Sequence, residues 1–314
     1  MKYIIAVDIG GTNIRCALFS IDNDAPIEIN KIRTQNQSNS DEKAIDRIIS
    51  CIKSIWPDQG EVFGICAAAP GSVSVNDGVV LLAPNIEGWE NLHLADQIKE
   101  HFHVKVLINN DARMAAYGEW KKGAGIGHSN LLYFTISTGL GGGIIVDNHL
   151  LQGEIGIATE VGHITLQEDG PSCGCGKQGH LEAYSSGTGI QNYVHKRIIE
   201  IGLDNSEFDN PSPVASEIAE AARAGIPLAK EAFDQAGYYL GIGLANYLHI
   251  FNPSCVIFGG GVSQSGEILF TPFHASLEKH VLNKRYLEDL TITTAELGDN
   301  AGLIGCMEYL QDNL

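Results

Sequence analysis

The sequence lacks any run of about 18 consecutive apolar residues, the length that a membrane-spanning helix needs. Only five apolar residues separate Lys2 from Asp8, so the first residues are not typical of a secretory signal peptide. Basic residues are scarce, with 20 Lys and Arg against 38 Asp and Glu, and the net charge is −18. Because such a surface repels phosphate backbones and anionic lipid headgroups, we expect neither nucleic acid nor a membrane as partner.

Cysteine is too sparse and too scattered for a disulfide framework. The chain has seven cysteines, an odd number, and only Cys173 and Cys175 lie close together. Thiols that stay unpaired are typical of a reducing compartment, so we expect a cytoplasmic protein.

The chain is long and apolar enough for two globular domains. It has 314 residues, of which 44% are hydrophobic, and domains average about 150 residues. The run YIIAVDIG (3–10) predicts a strand, followed by a glycine turn and a second strand at 14–20. The same pattern returns at 131–137, with a glycine-rich turn and a strand at 144–148. We interpret this as a duplication, in which two related domains face one cleft.

The remaining pattern is mainly helical. A further strand, at 254–258, is followed by a third glycine turn, and the polar stretch 204–213 predicts a loop. Apolar spacing predicts helices at 43–55, 111–121, 187–201, 213–224, 227–251 and 300–312.

Three glycine turns after strands suggest a site for phosphate groups. Glycine leaves backbone N–H groups open to an anion, although one such turn alone is more often plain turn chemistry. Asp8 ends the first strand, where it could face Mg²⁺ or simply form the turn. The residues that we expect at the nucleotide and its phosphates are Asp8, Gly10, Gly11, Thr12, Asn13, Thr138, Gly139, Gly141, Gly260 and Gly261.

A dense polar cluster, Asn109-Asn110-Asp111, follows the strand-like run VKVLI (104–108). A carboxylate at the carboxyl end of a strand stands where α/β proteins place ligands. Alternatively, Asp111 merely caps the helix that follows it.

Soft metal ligands concentrate between residues 159 and 182. Cys173, Cys175 and His180 fall within eight residues, and His163 precedes Cys173 by ten. Two thiols and two imidazoles suit tetrahedral Zn²⁺, although the Cys-x-Cys spacing is tighter than in zinc fingers. Four protein ligands leave no open position, so this zinc would be structural. The alternative is a pair of buried thiols without metal.

Taken together, the motifs resemble the ROK family of sugar kinases and related repressors, nearly from end to end. VDIGGTNIR (7–15) and FTISTGLGGGII (134–145) resemble its two phosphate motifs, and FNPSCVIFGGGVS (251–263) its adenosine-side strand and turn. GEIGIATEVGHI (153–164), CGCGKQGHLE (173–182) and LGDNAGLIGC (297–306) match further family elements. The family usually has a cysteine at the position of His180, and its kinases often have a small polar residue at that of Arg113.

The resemblance implies an α/β fold with two ribonuclease H-like domains, as in actin-like ATPases, around a cleft. We expect a small domain at 1–115, with a helix near 300–314 packing back on it, and a large domain at 116–299. The implied general base is Asp111. The implied contacts to sugar are Gly71, Asn85, Asn110, Asp111, Glu160, His163 and Glu182.

The implied activity is phosphorylation of the 6-hydroxyl of glucose by ATP, with Mg²⁺ and a structural Zn²⁺. Kinases for N-acetylmannosamine or N-acetylglucosamine share these motifs and remain alternatives. A repressor would carry a helix-turn-helix domain before the first phosphate motif, which the strand starting at residue 3 disfavours. A non-catalytic sugar-binding protein is the last alternative. Family members are often dimers or tetramers, so we expect a homo-oligomer.

Overall fold

The computed structural model describes residues 1–35, 43–83, 86–201, 208, 210 and 212–314. Asn85 and most of the predicted loop at 204–213 therefore lie outside the described residues. The strands are β1 (Lys2–Ile9), β2 (Asn13–Ser20), β3 (Pro26–Arg33), β4 (Glu61–Ala69), β5 (Ser72–Ser74), β6 (Val79–Leu82), β7 (Glu90–Leu92), β8 (Lys105–Asn110), β9 (Leu131–Ile136), β10 (Leu140–Val146), β11 (His149–Leu150), β12 (Cys255–Gly259) and β13 (Thr291–Thr294).

Six helices of the described residues lie within two residues of their predicted bounds. The prediction missed the other four, which are Leu94–Phe102, Leu181–Ser185, Glu267–His280 and Arg285–Glu288. The longest helix begins with Pro227 and is capped at its C-terminal end by Asn252, which adopts left-handed φ of 41°. None of these helices is long and apolar enough to cross a membrane. They are α1 (Ala44–Ser54), α2 (Leu94–Phe102), α3 (Asp111–Lys122), α4 (Leu181–Ser185), α5 (Gly187–Ile201), α6 (Ala215–Ala224), α7 (Pro227–Phe251), α8 (Glu267–His280), α9 (Arg285–Glu288) and α10 (Ala301–Asp312).

Two five-stranded sheets share one topology. The first has the order β3-β2-β1-β4-β8 and the second the order β11-β10-β9-β12-β13. In each sheet the first three strands are antiparallel neighbours and the last three are parallel neighbours. The repeated strand, turn and strand pattern of the sequence is thus one topology built twice. A third, antiparallel sheet of β5, β6 and β7 is formed by the chain between β4 and β8 of the first sheet.

Helices α3 and α10 lie between the two large sheets. One apolar core joins β1, α3, β9 and α10, and contains Ile4, Met114, Leu131 and Met307. The two helices cross very closely, since a Cβ on Gly305 would lie 1.7 Å from the carbonyl oxygen of Met114. Because α3 begins with Asp111, this packing fixes that residue between the two halves.

The second glycine-rich stretch differs from its prediction. We expected a turn through Gly143 and a strand at 144–148, but β10 already begins at Leu140. Glycines occupy this strand because α3 packs directly on it, and a Cβ on Gly143 would lie 2.4 Å from the Cβ of Ala116. The turn itself is only Ser137 to Gly139.

A buried carboxylate holds the two chain segments that connect the halves. Residues 123–130 lead from α3 to β9, and residues 295–300 lead from β13 to α10. Glu119, fully buried near the end of α3, accepts backbone N–H bonds from Ala124 at 3.0 Å, Glu296 at 3.1 Å and Leu297 at 2.8 Å. One side chain therefore ties both connections together.

We predict that Glu119→Ala lowers the melting temperature by about 5 °C or more, since unsatisfied buried groups each cost about 1–3 kcal/mol. Glu296→Ala is the matched control, because that exposed side chain leaves the backbone donor in place. Calorimetry gives the melting temperatures of both variants. Equal melting temperatures for Glu119→Ala and Glu296→Ala would contradict this role of Glu119.

Candidate active site and metal cluster

The predicted phosphate turns stand at the carboxyl ends of parallel strands. Gly10 to Asn13 follow β1, Ser137 to Gly139 follow β9, and Gly260 and Gly261 follow β12. In the first turn, the N–H of Gly10 donates to the carbonyl of Asn13 at 2.9 Å, and the Thr34 hydroxyl donates to the carbonyl of Gly10 at 2.6 Å. Gly11 and Thr12 remain exposed, so the backbone at the tip of this turn is open to an anion.

A cavity of about 340 Å³ opens beside the second and third turns. Of the predicted nucleotide residues, Thr138 and Gly261 line it, whereas Gly141 lies within β10 against Ala112. The sequence analysis missed most of the remaining lining residues, although the predicted helix starts near 187 and 213 were a usable signal. The missed residues include Thr188, Gln191, Val214 and Ser265.

Asp111 is the first residue of α3, directly after β8. The cap of this helix is Asn110, whose side-chain oxygen accepts the Arg113 N–H at 3.1 Å. The alternative that Asp111 merely caps the helix is therefore wrong. Asn110 also donates to the carbonyl of Gly71 at 3.0 Å, which brings two of the predicted sugar contacts together.

Burial raises the pKa of Asp111 to about 7. The carboxylates of Asp8 and Glu160 act in the same direction, whereas the N–H of Ala112, 2.8 Å from Oδ1, opposes them. Burial also raises the pKa of Asp8, with the Arg15 guanidinium acting against it from 4.0 Å. A carboxylate with a pKa near neutrality suits proton transfer at physiological pH.

The four predicted metal ligands converge. One ligand atom from each of His163, Cys173, Cys175 and His180 lies within 4.8 Å of the others. Cys173 Sγ is 3.8 Å from His163 Nδ1, and Cys175 Sγ is 3.3 Å from His180 Nδ1. Tetrahedral zinc with ordinary bond lengths separates its ligands by about 3.3–3.8 Å, so donor chemistry and spacing both fit this ion.

Two acidic residues connect the metal cluster to the rest of the site. Glu160 Oε2 lies 4.0 Å from His163 Nε2, on the side of the ring away from Cys173. The Glu182 carboxylate accepts a hydrogen bond from the thiol of Cys173 at 3.2 Å. It also accepts one from the backbone N–H of Leu140 at 2.9 Å, and Leu140 follows the second glycine turn. The cluster can therefore orient both a predicted sugar contact and a phosphate turn.

Comparison with known proteins identifies the family of this chain. The ROK family profile matches residues 4–313. The chain belongs to the ROK family. A glucokinase from Streptomyces coelicolor is 33% identical over 319 residues, covering 99% of this chain and 98% of that protein. A xylose repressor from Bacillus subtilis is 30% identical, covering 99% of this chain and 77% of that protein.

A solved ROK structure has the same fold. The ROK glucokinase from Streptomyces griseus, in complex with glucose and AMPPNP, superposes with a TM-score of 0.79 at 33% identity, covering 98% of each chain. The predicted α/β fold and ROK membership are confirmed. The domain boundaries at residues 115 and 299 and the roles of the individual site residues stay predictions.

We predict that protein purified without chelator carries about one zinc ion per chain and that Cys175→Ser loses it, because a serine hydroxyl is a poor ligand for zinc. Cys51→Ser is the control, since that thiol lies outside the cluster, 3.8 Å from the carbonyl of Asn30. Elemental analysis gives the stoichiometry. Active wild-type protein with almost no zinc would refute the assignment.

Proposed function

We propose that this ROK protein is an ATP-dependent hexose kinase that phosphorylates the 6-hydroxyl of glucose. The observation that carries the proposal is Asp111, a half-buried carboxylate at the carboxyl end of β8, whose pKa is raised to about 7. Two other carboxylates raise the pKa of Asp111 through their charge. One is Asp8, beside the first phosphate turn, and the other is Glu160, a predicted sugar contact. The similarity to glucokinases along the whole chain supports the same activity.

In the proposed reaction, the sugar hydroxyl attacks the γ-phosphorus of ATP in line with the leaving group. Asp111 accepts the hydroxyl proton while the new oxygen–phosphorus bond forms and the bond to the β-phosphate oxygen breaks, which releases ADP. Asn110 and Gly71 hold the sugar beside the base, joined by their 3.0 Å hydrogen bond. Backbone N–H groups of the glycine turns offset charge on the phosphoryl oxygens.

Two metal ions belong to this proposal. Asp8 has the carboxylate chemistry that Mg²⁺ prefers and ends the strand before the first phosphate turn. Mg²⁺ would supply positive charge at the phosphates of ATP. Zinc, held by His163, Cys173, Cys175 and His180, would keep Glu160 and Glu182 in place without taking part in the chemistry.

The amino-acid composition bears on the cellular compartment and on the partners of the protein. All seven cysteines are free thiols, which agrees with a reducing cytoplasm. The net charge of −18 disfavours a nucleic-acid partner. The expected dimer or tetramer and the separation of glucose from N-acetylhexosamines stay proposals.

A sugar-responsive regulator is a second candidate, favoured by the similarity to the xylose repressor. The two candidates differ in turnover. A regulator binds sugar without consuming ATP, whereas the kinase releases one ADP for each sugar that it phosphorylates.

In a coupled ADP-release assay, we expect turnover with glucose to exceed that with N-acetylmannosamine or N-acetylglucosamine. Asp111→Asn keeps the shape of the side chain but removes the base, so kcat should fall by about 10²- to 10⁴-fold while the KM for ATP stays near that of wild type. Sugar-independent ATP hydrolysis is the background control. Wild-type turnover by Asp111→Asn would refute the assignment of the base.

The dependence of kcat/KM on pH tests the same residue independently. Because Asp111 must be deprotonated to accept a proton and its pKa is raised to about 7, kcat/KM should fall about tenfold per pH unit below neutrality. Melting temperatures across the same range separate this effect from unfolding. A flat profile down to about pH 5, near the ordinary range for carboxylates, would contradict it.

A further inference from the structure

The loop at 151–160 carries Glu160 and has an unusual backbone. It is irregular and leads from β11 to a short turn of helix at Val161–His163. Gly153 and Gly156 have φ of 73° and 77°, which glycine adopts readily. Its conformation does not arise from regular hydrogen bonding, so other contacts must hold it.

Thr159, directly before Glu160, is strained. Its φ is 71°, a value that β-branched residues rarely adopt. The N–H of Val161 donates to the carbonyl of Thr159 at 2.8 Å, which closes a tight three-residue turn. Such a conformation persists only where the surrounding structure enforces it. The position of Glu160 therefore depends on whatever anchors the loop.

Arg113, on α3, supplies such an anchor. Its side chain is 1% exposed, on the first turns of α3. Nη1 donates to the carbonyl of Gly156 at 2.6 Å, and Nη2 donates to the carbonyl of Val73 at 3.4 Å. One guanidinium thus joins the helix of Asp111, strand β5 and the loop of Glu160.

A second contact supports the same loop from the C-terminal helix. The side-chain amide of Gln152 donates to the Tyr309 hydroxyl at 2.9 Å, and the N–H of Ala158 donates to the carbonyl of Gln152 at 3.0 Å. This contact holds the first residues of the loop. The Asn76 side-chain amide donates to the carbonyl of Glu154 at 3.1 Å, and the Ser74 hydroxyl donates to that of Ile155 at 3.4 Å. Arg113 holds the next residue, Gly156, so its loss would loosen the part of the loop that leads to Thr159 and Glu160.

We propose that Arg113 is a positioning residue of the sugar site, which fixes Glu160 relative to Asp111 by tying the 151–160 loop to α3 and β5. The inference deepens the proposed function and rests on it for its kinetic consequences. Arginine suits the task because its planar fork reaches two carbonyls on different elements, whereas lysine presents a single charged nitrogen. Asp111 and Glu160 both lie close enough to interact with its charge.

The kinetic test compares Arg113→Met with Arg113→Lys. We expect either substitution to raise the KM for hexose about tenfold, with the KM for ATP within about twofold of wild type, because only the sugar contact is displaced. Arg285→Met is the matched control, since this arginine is exposed on α9 and pairs with Glu288. Full rescue by Arg113→Lys would show that charge alone matters and would overturn the proposal.

A double-variant cycle asks whether Arg113 acts through Glu160. If it does, adding Arg113→Met to Glu160→Gln leaves the hexose KM close to that of Glu160→Gln alone, because residues in one chain of contacts are not additive. Additive effects would mean that Arg113 acts elsewhere and would overturn the proposal.

Hydrogen exchange in the sugar-free protein separates this inference from the proposed function. We expect the hydrogen-bonded amides of Ala158 and Val161 to exchange at least about tenfold faster in Arg113→Met and Arg113→Lys than in wild type, with β9 unchanged. Faster exchange in a protein that never phosphorylates hexose would uphold the anchor and refute the kinase. Unchanged exchange in an active kinase would refute the anchor.

Discussion

The partial burial of Asp111 near two other carboxylates is the constraint on which the rest of the site depends. Removing a carboxylate from water disfavours its charged form, and the neighbouring Asp8 and Glu160 add to this effect. The protein maintains the arrangement because α3 is packed between two sheets and tied at its far end by Glu119. The raised pKa of Asp111 is thus a product of the fold and not of the residue type.

The cluster of cysteines and histidines contacts the predicted site through two acidic residues. His163 faces Glu160, and Cys173 reaches the second glycine turn through Glu182. A bound zinc ion would rigidify the loop that bears His163, beside Glu160, while remaining outside the reaction. The hydrogen bond from Cys173 to Glu182 needs the thiol proton, which zinc binding would remove, so this link belongs to the metal-free protein. A histidine at position 180 is compatible with this design, since its Nδ1 already lies 3.3 Å from the Cys175 sulfur.

Local patterns were enough to predict much of the fold. The bounds of α7 follow from apolar periodicity and a proline, and short spacing between cysteine and histidine was enough to predict that four such side chains converge. The links made by Glu119 and Arg113 could not be predicted, because they join segments about 40 to 180 residues apart that only tertiary packing brings together. The glycines of β10 were misread as a turn for the same reason, since their small size serves the helix packed above them.

As the proposed base, Asp111 must meet the hydroxyl that receives the phosphoryl group. A crystal structure with glucose and a non-hydrolysable ATP analogue would show whether it does. We expect a carboxylate oxygen of Asp111 within about 3 Å of the 6-hydroxyl oxygen, on the side away from the γ-phosphorus. A glucose molecule whose 6-hydroxyl contacts another base, with Asp111 facing away from the cleft, would contradict it.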